Sequence, residues 1–212
     1  LADPTVTGHV LEVCPTGCTY AKPSEAFAAA VDGDTIQVDY GDYTDCGTIT
    51  KSNIIVRGVS DSSGNKPRMG GKTCGRKGII IVQGGNTLIE NLELHDSVDP
   101  TTQDENWACV RFDANAYNLK LRDCWLHDAD DGVLGNDSAA AHNTVVFEGC
   151  LFEKLGRAGY AHGMYLGKAV DLFVLRNSVV RDNHDDGHLV KSRAKANIIE
   201  CSTIAGLNGA NS

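Results

Sequence analysis

The side chains best suited to acid–base chemistry are concentrated in the second half of the chain. They lie in three segments, residues 127–132, 162–165 and 184–193. Imidazole, carboxylate, phenol, amine and guanidinium groups together provide the proton donors, proton acceptors and cations that an active site requires. We therefore expect the three segments to meet on one face of the fold, although more than sixty residues separate their ends.

Turn formation does not explain Lys191 and Arg193. Two cationic side chains within three consecutive positions are not typical of a turn. The pair fits β-elimination on a uronate, in which a base removes the proton next to the sugar carboxylate and cations stabilise the resulting enolate. We predict Lys191 as the base, since the nearby Arg193 favours its uncharged form. Arg193 or a bound calcium ion would hold the carboxylate.

Five further residues are predicted to take part in the same site. The assignments are His162 and His188 as catalytic residues, and Tyr165, His127 and Asp131 as substrate contacts. His162 or Tyr165 would donate a proton to the leaving oxygen. A stacked ladder is the alternative for His127, because His95 is likewise followed by an aspartate.

Two pairs of aspartates suggest a bound cation. Asp130 with Asp131 and Asp185 with Asp186 offer the oxygen ligands that Ca²⁺ prefers, and Asp185 and Asp186 are the predicted metal ligands. The alternatives are tight turns, which favour Asp beside Gly, and a salt bridge from Lys191 or Arg193 to Asp185 or Asp186. No EF-hand loop or nonapeptide calcium repeat accompanies the pairs.

A repeating structure must position these side chains, because one short pattern recurs along the chain. An apolar strand is followed by a polar residue or cysteine, a second apolar pair and a turn. Aligning the central small residues gives a column with steps of 33, 26, 28 and 23 residues: Asn91, Cys124, Cys150, Ser178 and Cys201. Such a period indicates stacked supersecondary units.

A second series of short apolar strands lies between these segments, at residues 78–82, 108–112, 132–134, 163–166 and 187–191. Neither series buries its apolar face alone, so the repeats must stack. We predict an all-β fold, a right-handed, single-stranded parallel β-helix. A β-sandwich would instead show hairpin signals about every 8–12 residues.

The predicted organisation is one domain over residues 1–212. Residues 1–34 form an N-terminal segment and cap, with a short alanine-rich helix that has Ser24 as N-cap and ends at Asp32-Gly33. Residues 35–212 form the coils, and we leave open that further coils follow Ser212.

The eight cysteines indicate disulfides and an oxidising compartment. Two predicted bridges clip loops, Cys14–Cys18 and Cys46–Cys74. Cys124 and Cys150 share a column on successive coils, about 4.8 Å apart, so we predict either a disulfide or a stacked thiol pair. The two remaining cysteines, Cys109 and Cys201, are expected to be buried free thiols.

Composition narrows the range of partners. The net charge is −9 and no long Lys/Arg cluster is present, which argues against nucleic acid. The longest apolar run, residues 78–82, is far shorter than a membrane span. Leu1-Ala2-Asp3 resembles a mature end left by signal cleavage, so we expect secretion to the periplasm or the cell exterior. Asn136-Asp137-Ser138 is a glycosylation sequon.

Two stretches carry a family resemblance. Pro23-Ser24-Glu25-Ala26-Phe27, Asp32-Gly33-Asp34-Thr35-Ile36 and Gly41-Asp42-Tyr43 resemble the cap and first coil of the pectate-lyase-like β-helix superfamily, and the likeness covers nearly the whole chain. Ala161-His162-Gly163-Met164-Tyr165 and residues 188–194 resemble a group of secreted bacterial β-helix repeat proteins. The resemblance implies the fold and the superfamily.

Lys191-Ser192 followed by Asn197 also resembles alginate lyases and chondroitin-B-type lyases of this fold, in which the lysine is the base. In those families the asparagine comes sooner, and the catalytic arginine lies on a following coil that is absent before Ser212. We therefore expect a lyase or epimerase acting on an acidic polysaccharide. The alternative is a non-catalytic solenoid, such as a surface or filament subunit that self-associates through open coil ends.

Overall fold

The computed structural model describes residues 1–98, 107–113, 115–135, 143–157, 159–184 and 187–206. These residues form a parallel β-helix in which the chain passes through three parallel sheets in turn. One short helix, α1 (Pro23–Ala29), precedes most of the coils. No helix in the described part of the chain is long and apolar enough to cross a membrane.

Within the described residues, the strands are numbered in chain order and fall into three sheets. Sheet A contains β1 (Val10–Val13), β2 (Thr35–Asp39), β5 (Ile55–Val59), β8 (Gly85–Glu90), β11 (Tyr117–Arg122), β14 (Asn143–Glu148), β17 (Val170–Arg176) and β20 (Ala196–Glu200). Sheet B contains β3 (Asp42–Thr44), β6 (Arg68–Gly70), β9 (Glu93–His95), β12 (Trp125–Ala129), β15 (Leu151–Leu155), β18 (Val179–Arg181) and β21 (Thr203–Ala205). Sheet C contains β4 (Gly47–Ile49), β7 (Gly78–Val82), β10 (Ala108–Phe112), β13 (Asp131–Gly135), β16 (Met164–Leu166) and β19 (Val190–Ser192).

The predicted fold class is confirmed, and the two recurring sequence patterns correspond to three strands per coil. The first pattern contains the sheet A strand, a sharp corner and the sheet B strand, whereas the second pattern is the sheet C strand. Sheet A also begins earlier than residue 35, because β1 pairs with β2 in parallel.

The core is a column of apolar side chains inside the three sheets. Alternate residues of each strand point inward, so Ile80, Val110, Val133 and Met164 of sheet C are all fully buried in one cluster. Burying a side chain of this kind contributes about 1.5–3 kcal/mol to folding. Stacking the coils thus supplies the apolar contacts that no single coil makes alone.

The helix differs from the sequence prediction at both ends. It begins at Pro23 with Lys22 as N-cap and ends at Ala29. Glu25 accepts hydrogen bonds from the backbone N–H groups of Ala21 and Lys22, at 3.0 and 3.3 Å. Ser24 instead donates its hydroxyl proton to Asp45, because a carboxylate on the first coil lies within 3.0 Å.

The corner between sheets A and B is formed by residues with left-handed backbone. Register places five residues in one column with φ between 50° and 66°: Asn91, Asp123, Gly149, Asn177 and Cys201. The column predicted from sequence was therefore wrong by one position at both ends. Cys124, Cys150 and Ser178 each follow a corner residue by one position, so they are aligned with Leu92 and Ser202. Leu92, Cys124, Cys150 and Ser178 are buried.

A charge ladder runs along the outer end of sheet A. Six side chains alternate in sign in one register column: Arg57, Glu90, Arg122, Glu148, Arg176 and Glu200. Glu90 accepts hydrogen bonds from both Arg57 and Arg122. Opposite charges on neighbouring strands stabilise their pairing, so this face serves the stacking of coils.

The cysteines follow the prediction in part. The Cys14–Cys18 and Cys46–Cys74 disulfides are present. Cys124 and Cys150 form no bridge, and of the two arrangements predicted the stacked thiol pair is observed. Cys109 is a buried free thiol as expected, whereas Cys201 is exposed because it occupies the outward-facing corner column of the last described coil.

Candidate functional site

An outward-facing register column on sheet C carries the side chains that could bind an acidic substrate. Arg111, Leu134, Tyr165 and Lys191 follow one another on β10, β13, β16 and β19. Their neighbours along each strand point into the core, so these side chains point away from it. Successive strands lie about 4.8 Å apart, which places a cation at each end of a short linear surface.

A second column lies three residues earlier on the same strands and turns, and it contains Asp131, His162 and His188. The backbone N–H of His162 donates to Asp131 Oδ1 at 2.8 Å, and the backbone N–H of His188 donates to His162 Nδ1 at 3.2 Å. The His162 and His188 rings meet edge to face with centroids 5.1 Å apart. Each side chain therefore fixes the backbone of the next coil.

His162 is neutral because its surroundings disfavour the imidazolium. Burial, followed by the nearby Lys191 and His188, lowers the pKa of His162 to about 4. A neutral imidazole carries one proton, and Nδ1 is already the acceptor of the His188 N–H. We therefore assign the proton to Nε2.

This tautomer determines how His162 meets Lys191. Nε2 of His162 lies 2.9 Å from Nζ of Lys191. With the proton on Nε2, His162 presents a donor to the Lys191 amine. The contact fixes the position of that amine on the outer face of sheet C.

Tyr165 links the two cations predicted from sequence. Lys191 Nζ lies 5.1 Å and Arg193 Cζ 5.5 Å from the centroid of its ring. Both distances are within the range of cation–π contacts. The structure therefore brings together Lys191, Arg193, His162, His188 and Tyr165.

Arg111 was not identified from the sequence, although it occupies the same outward column. Its Nε is buried and has no hydrogen-bond partner among the described residues. An arginine fork with an unused donor is suited to a carboxylate ligand. The available signal was a charged residue inside the apolar strand Ala108–Phe112.

Two predicted substrate contacts occupy different positions from those expected. Asp131 is only 1% exposed and holds the His162 backbone, so it positions the site from beneath. Burial raises the pKa of its carboxyl group. His127 lies on β12 of sheet B and stacks on His95 with ring centroids 5.6 Å apart, which is the ladder considered as its alternative.

The aspartates give no calcium site within the described residues. Asp185 and Asp186 lie outside them. Asp130 and Asp131 have different partners, since Asp130 Oδ1 lies 3.5 Å from Arg157 Nη1 whereas Asp131 Oδ1 accepts the His162 N–H. In the described part of the chain, the one close grouping of three metal-ligand atoms uses the bridged cysteines Cys14 and Cys18.

The predicted Lys-Ser segment makes one further contact. The Ser192 hydroxyl donates to Asn197 Oδ1 at 2.6 Å, and the Ala194 N–H donates to the Ser192 oxygen at 3.2 Å. Asn197 therefore fixes the turn that follows β19 and so fixes the strand end that carries Lys191.

Comparison with known proteins supports the fold. No protein-family model matches the chain, and no curated protein matches it in sequence. A pectin methylesterase in complex with a hexasaccharide aligns with a TM-score of 0.66 at 15% identity, over 96% of this chain and 68% of that one. Pectin methylesterase PemA from Erwinia chrysanthemi aligns with a TM-score of 0.60 at 16% identity, over 92% of this chain and 66% of that one. At these identities the likeness establishes that the chain has the right-handed parallel β-helix fold of these enzymes.

Proposed function

We propose that this protein is a polysaccharide lyase that cleaves an acidic, uronate-containing polymer by β-elimination on the outer face of sheet C. The polymer would lie along the column from Arg111 to Lys191, with a uronate carboxylate held by Arg111 or Arg193. The fold is shared with proteins described as acting on pectin, which supports an acidic polysaccharide as the substrate class.

Lys191 is the base of the proposed reaction. Its amine takes the proton from the carbon that bears the carboxylate, and the electron pair left behind is delocalised into that carboxylate as an enolate. The cationic guanidinium groups stabilise the enolate charge. The enolate then collapses to a carbon–carbon double bond as the glycosidic carbon–oxygen bond breaks, and Tyr165 protonates the leaving oxygen. An epimerase would use the same proton removal and return the proton to the opposite face of the carbon.

The contact between His162 and Lys191 carries this proposal. A general base needs its unprotonated form and a fixed position. The 2.9 Å contact with His162 Nε2 supplies the fixed position, and we propose that the amine is uncharged when the substrate binds. Two disulfides are compatible with secretion to the cell exterior or the periplasm, where such polymers occur.

An absorbance assay for unsaturated uronate products tests the proposal. The intact chain is incubated with alginate, polygalacturonate, glucuronan and chondroitin-type polymers, with calcium or with chelator. We expect product from one polymer class and a rate at least about 10²-fold lower for Lys191→Met. Lys195→Met is the matched control, since its amine is exposed and pairs with Asp171 at 2.6 Å.

The assay also separates the alternatives. Product formation that survives Lys191→Met rules out this lysine as the base. Absence of product from every polymer, with no exchange of the uronate proton into heavy water, rules out both lyase and epimerase activity and favours a structural β-solenoid.

A further inference from the structure

An elongated groove crosses sheet B, away from the column that carries Lys191. Its floor is one register column, Arg68, Glu93, Trp125 and Leu151, on four successive strands. Two clefts of about 390 and 440 Å³ adjoin at Lys66 and Trp125 along this floor. With about 4.8 Å between strands, the floor is about 14 Å long and runs along the axis of the β-helix. Its shape suits an extended chain.

Two aromatic rings border the groove, and contacts hold one of them in place. The Trp125 indole stacks on His127 with centroids 4.2 Å apart, and its Nε1–H donates to Glu153 at 3.1 Å. Tyr40 lines the same cleft and is 46% exposed, although exposed aromatic rings are uncommon among the residues that the structure describes. A ring fixed in advance, as that of Trp125 is, binds a flat apolar surface with little loss of side-chain entropy.

The charged groups of the groove already have polar partners. Arg68 contacts Glu93 at 2.8 Å and Asp42 at 2.9 Å, and Lys66 donates to the Asn91 amide oxygen at 2.6 Å. Paired charges offer hydrogen bonds without a net positive field. An acidic polymer would find no net positive charge here to balance its carboxylates, whereas a chain of hydroxyl groups needs none.

We propose that this groove binds a neutral, extended polysaccharide chain. The flat C–H faces of its sugar rings would stack on Trp125 and Tyr40, and its hydroxyl groups would bond to Arg68, Glu93 and Asn65. The site is separate from the proposed lyase chemistry on sheet C. It would anchor the protein to a neutral polymer that accompanies the acidic one.

Isothermal titration of the intact chain with xylohexaose, cellohexaose and a galacturonate hexamer tests this proposal. We expect a neutral hexasaccharide to bind, and Trp125→Ala to weaken that binding at least about tenfold. Tyr40→Ala, which removes an exposed ring with little effect on folding, should weaken it several-fold. Tyr160→Ala removes a ring that is 80% exposed outside the groove and should leave the affinity unchanged, as should Lys191→Met.

Three results would overturn the proposal. They are no binding of either neutral hexasaccharide, unchanged affinity in both Trp125→Ala and Tyr40→Ala, and equal loss of affinity in Tyr160→Ala. Because the probe is neutral and Lys191→Met is included, failure here leaves the lyase assay unaffected, and failure of that assay leaves this binding unaffected.

Discussion

His162 Nε2 and Lys191 Nζ face each other across two neighbouring coils at 2.9 Å. The imidazole is fixed from both sides, because its own backbone N–H is held by Asp131 and its Nδ1 accepts the N–H of His188. Neither partner is adjacent to His162 in the sequence. The register of the parallel coils therefore determines both the tautomer of His162 and the position of its ring beside the Lys191 amine.

Two conservative variants of His162 separate its two hydrogen bonds. His162→Gln places an amide N–H near the position of Nε2 and keeps a donor for Lys191, whereas His162→Asn keeps only an acceptor near the position of Nδ1. If the donor to Lys191 matters for proton removal, kcat should fall about 10–100-fold in His162→Asn and less in His162→Gln, with KM changed little in both. Steady-state kinetics on the polymer identified by the absorbance assay gives both values. Equal kcat for the two variants would show that the Nε2 contact has no role in catalysis.

Arg111 should determine affinity for the acidic polymer. Its unpaired guanidinium donor is available to a carboxylate, so Arg111→Met should raise KM about tenfold with a smaller change in kcat. Arg111→Lys retains the charge and loses the planar fork, and an intermediate KM is expected. Initial-rate measurements over a range of polymer concentrations decide this. An unchanged KM in Arg111→Met would place the carboxylate elsewhere, with Arg193 the other residue proposed to hold it.

Thiol reactivity should distinguish the four free cysteines. Cys109, Cys124 and Cys150 are buried and Cys201 is exposed. Burial raises the pKa of Cys109 above its usual range, which further slows its reaction. A chromogenic disulfide reagent should therefore titrate about one thiol in the native protein and about four after denaturation without reductant. Cys201→Ser should remove the native signal. Fewer than four thiols after denaturation would indicate a Cys124–Cys150 bridge.

The fold could be predicted from the sequence because stacking repeats one pattern of residue types in every coil. The apolar strands at Leu119–Leu121 and Val145–Phe147 are each followed by a small or polar corner residue, and this order is kept whatever the length of the coil. The exact alignment of the coils could not be predicted, since either Asn91 or Leu92 satisfies the pattern. The distinction depends on left-handed backbone at Asn91, which is visible only in the structure.

The site could be predicted only where its residues lie close together in sequence. Lys191 and Arg193 stand out as a pair, but Arg111 is isolated within an apolar strand and becomes part of the site through register. His127 shows the opposite error. It belongs to the same sequence segment as Asp131, yet the corner at Asp130 places the two residues on different sheets.

The lowered pKa of His162 should make folding stability depend on pH in a defined direction. In the native state the pKa is about 4, below the ordinary value of 6.5 expected in the unfolded chain. Between these values the unfolded chain binds a proton that the native state does not, so stability rises with pH across this window and is lost as the pH falls from about 6.5 towards 4. Since the ring borders a polar site, the loss should be about 1–3 kcal/mol rather than the full value for the shift.

Comparison with His162→Gln isolates this contribution from that of the other groups that face the ring, namely Asp131, His188 and Lys191. The free energy of unfolding in urea is measured for both proteins at pH 7 and at pH 4.5. We expect the wild-type protein to lose about 1–3 kcal/mol more than the variant between these values, because glutamine does not titrate. Parallel losses in the two proteins would mean that the pKa of His162 is not lowered in the native state.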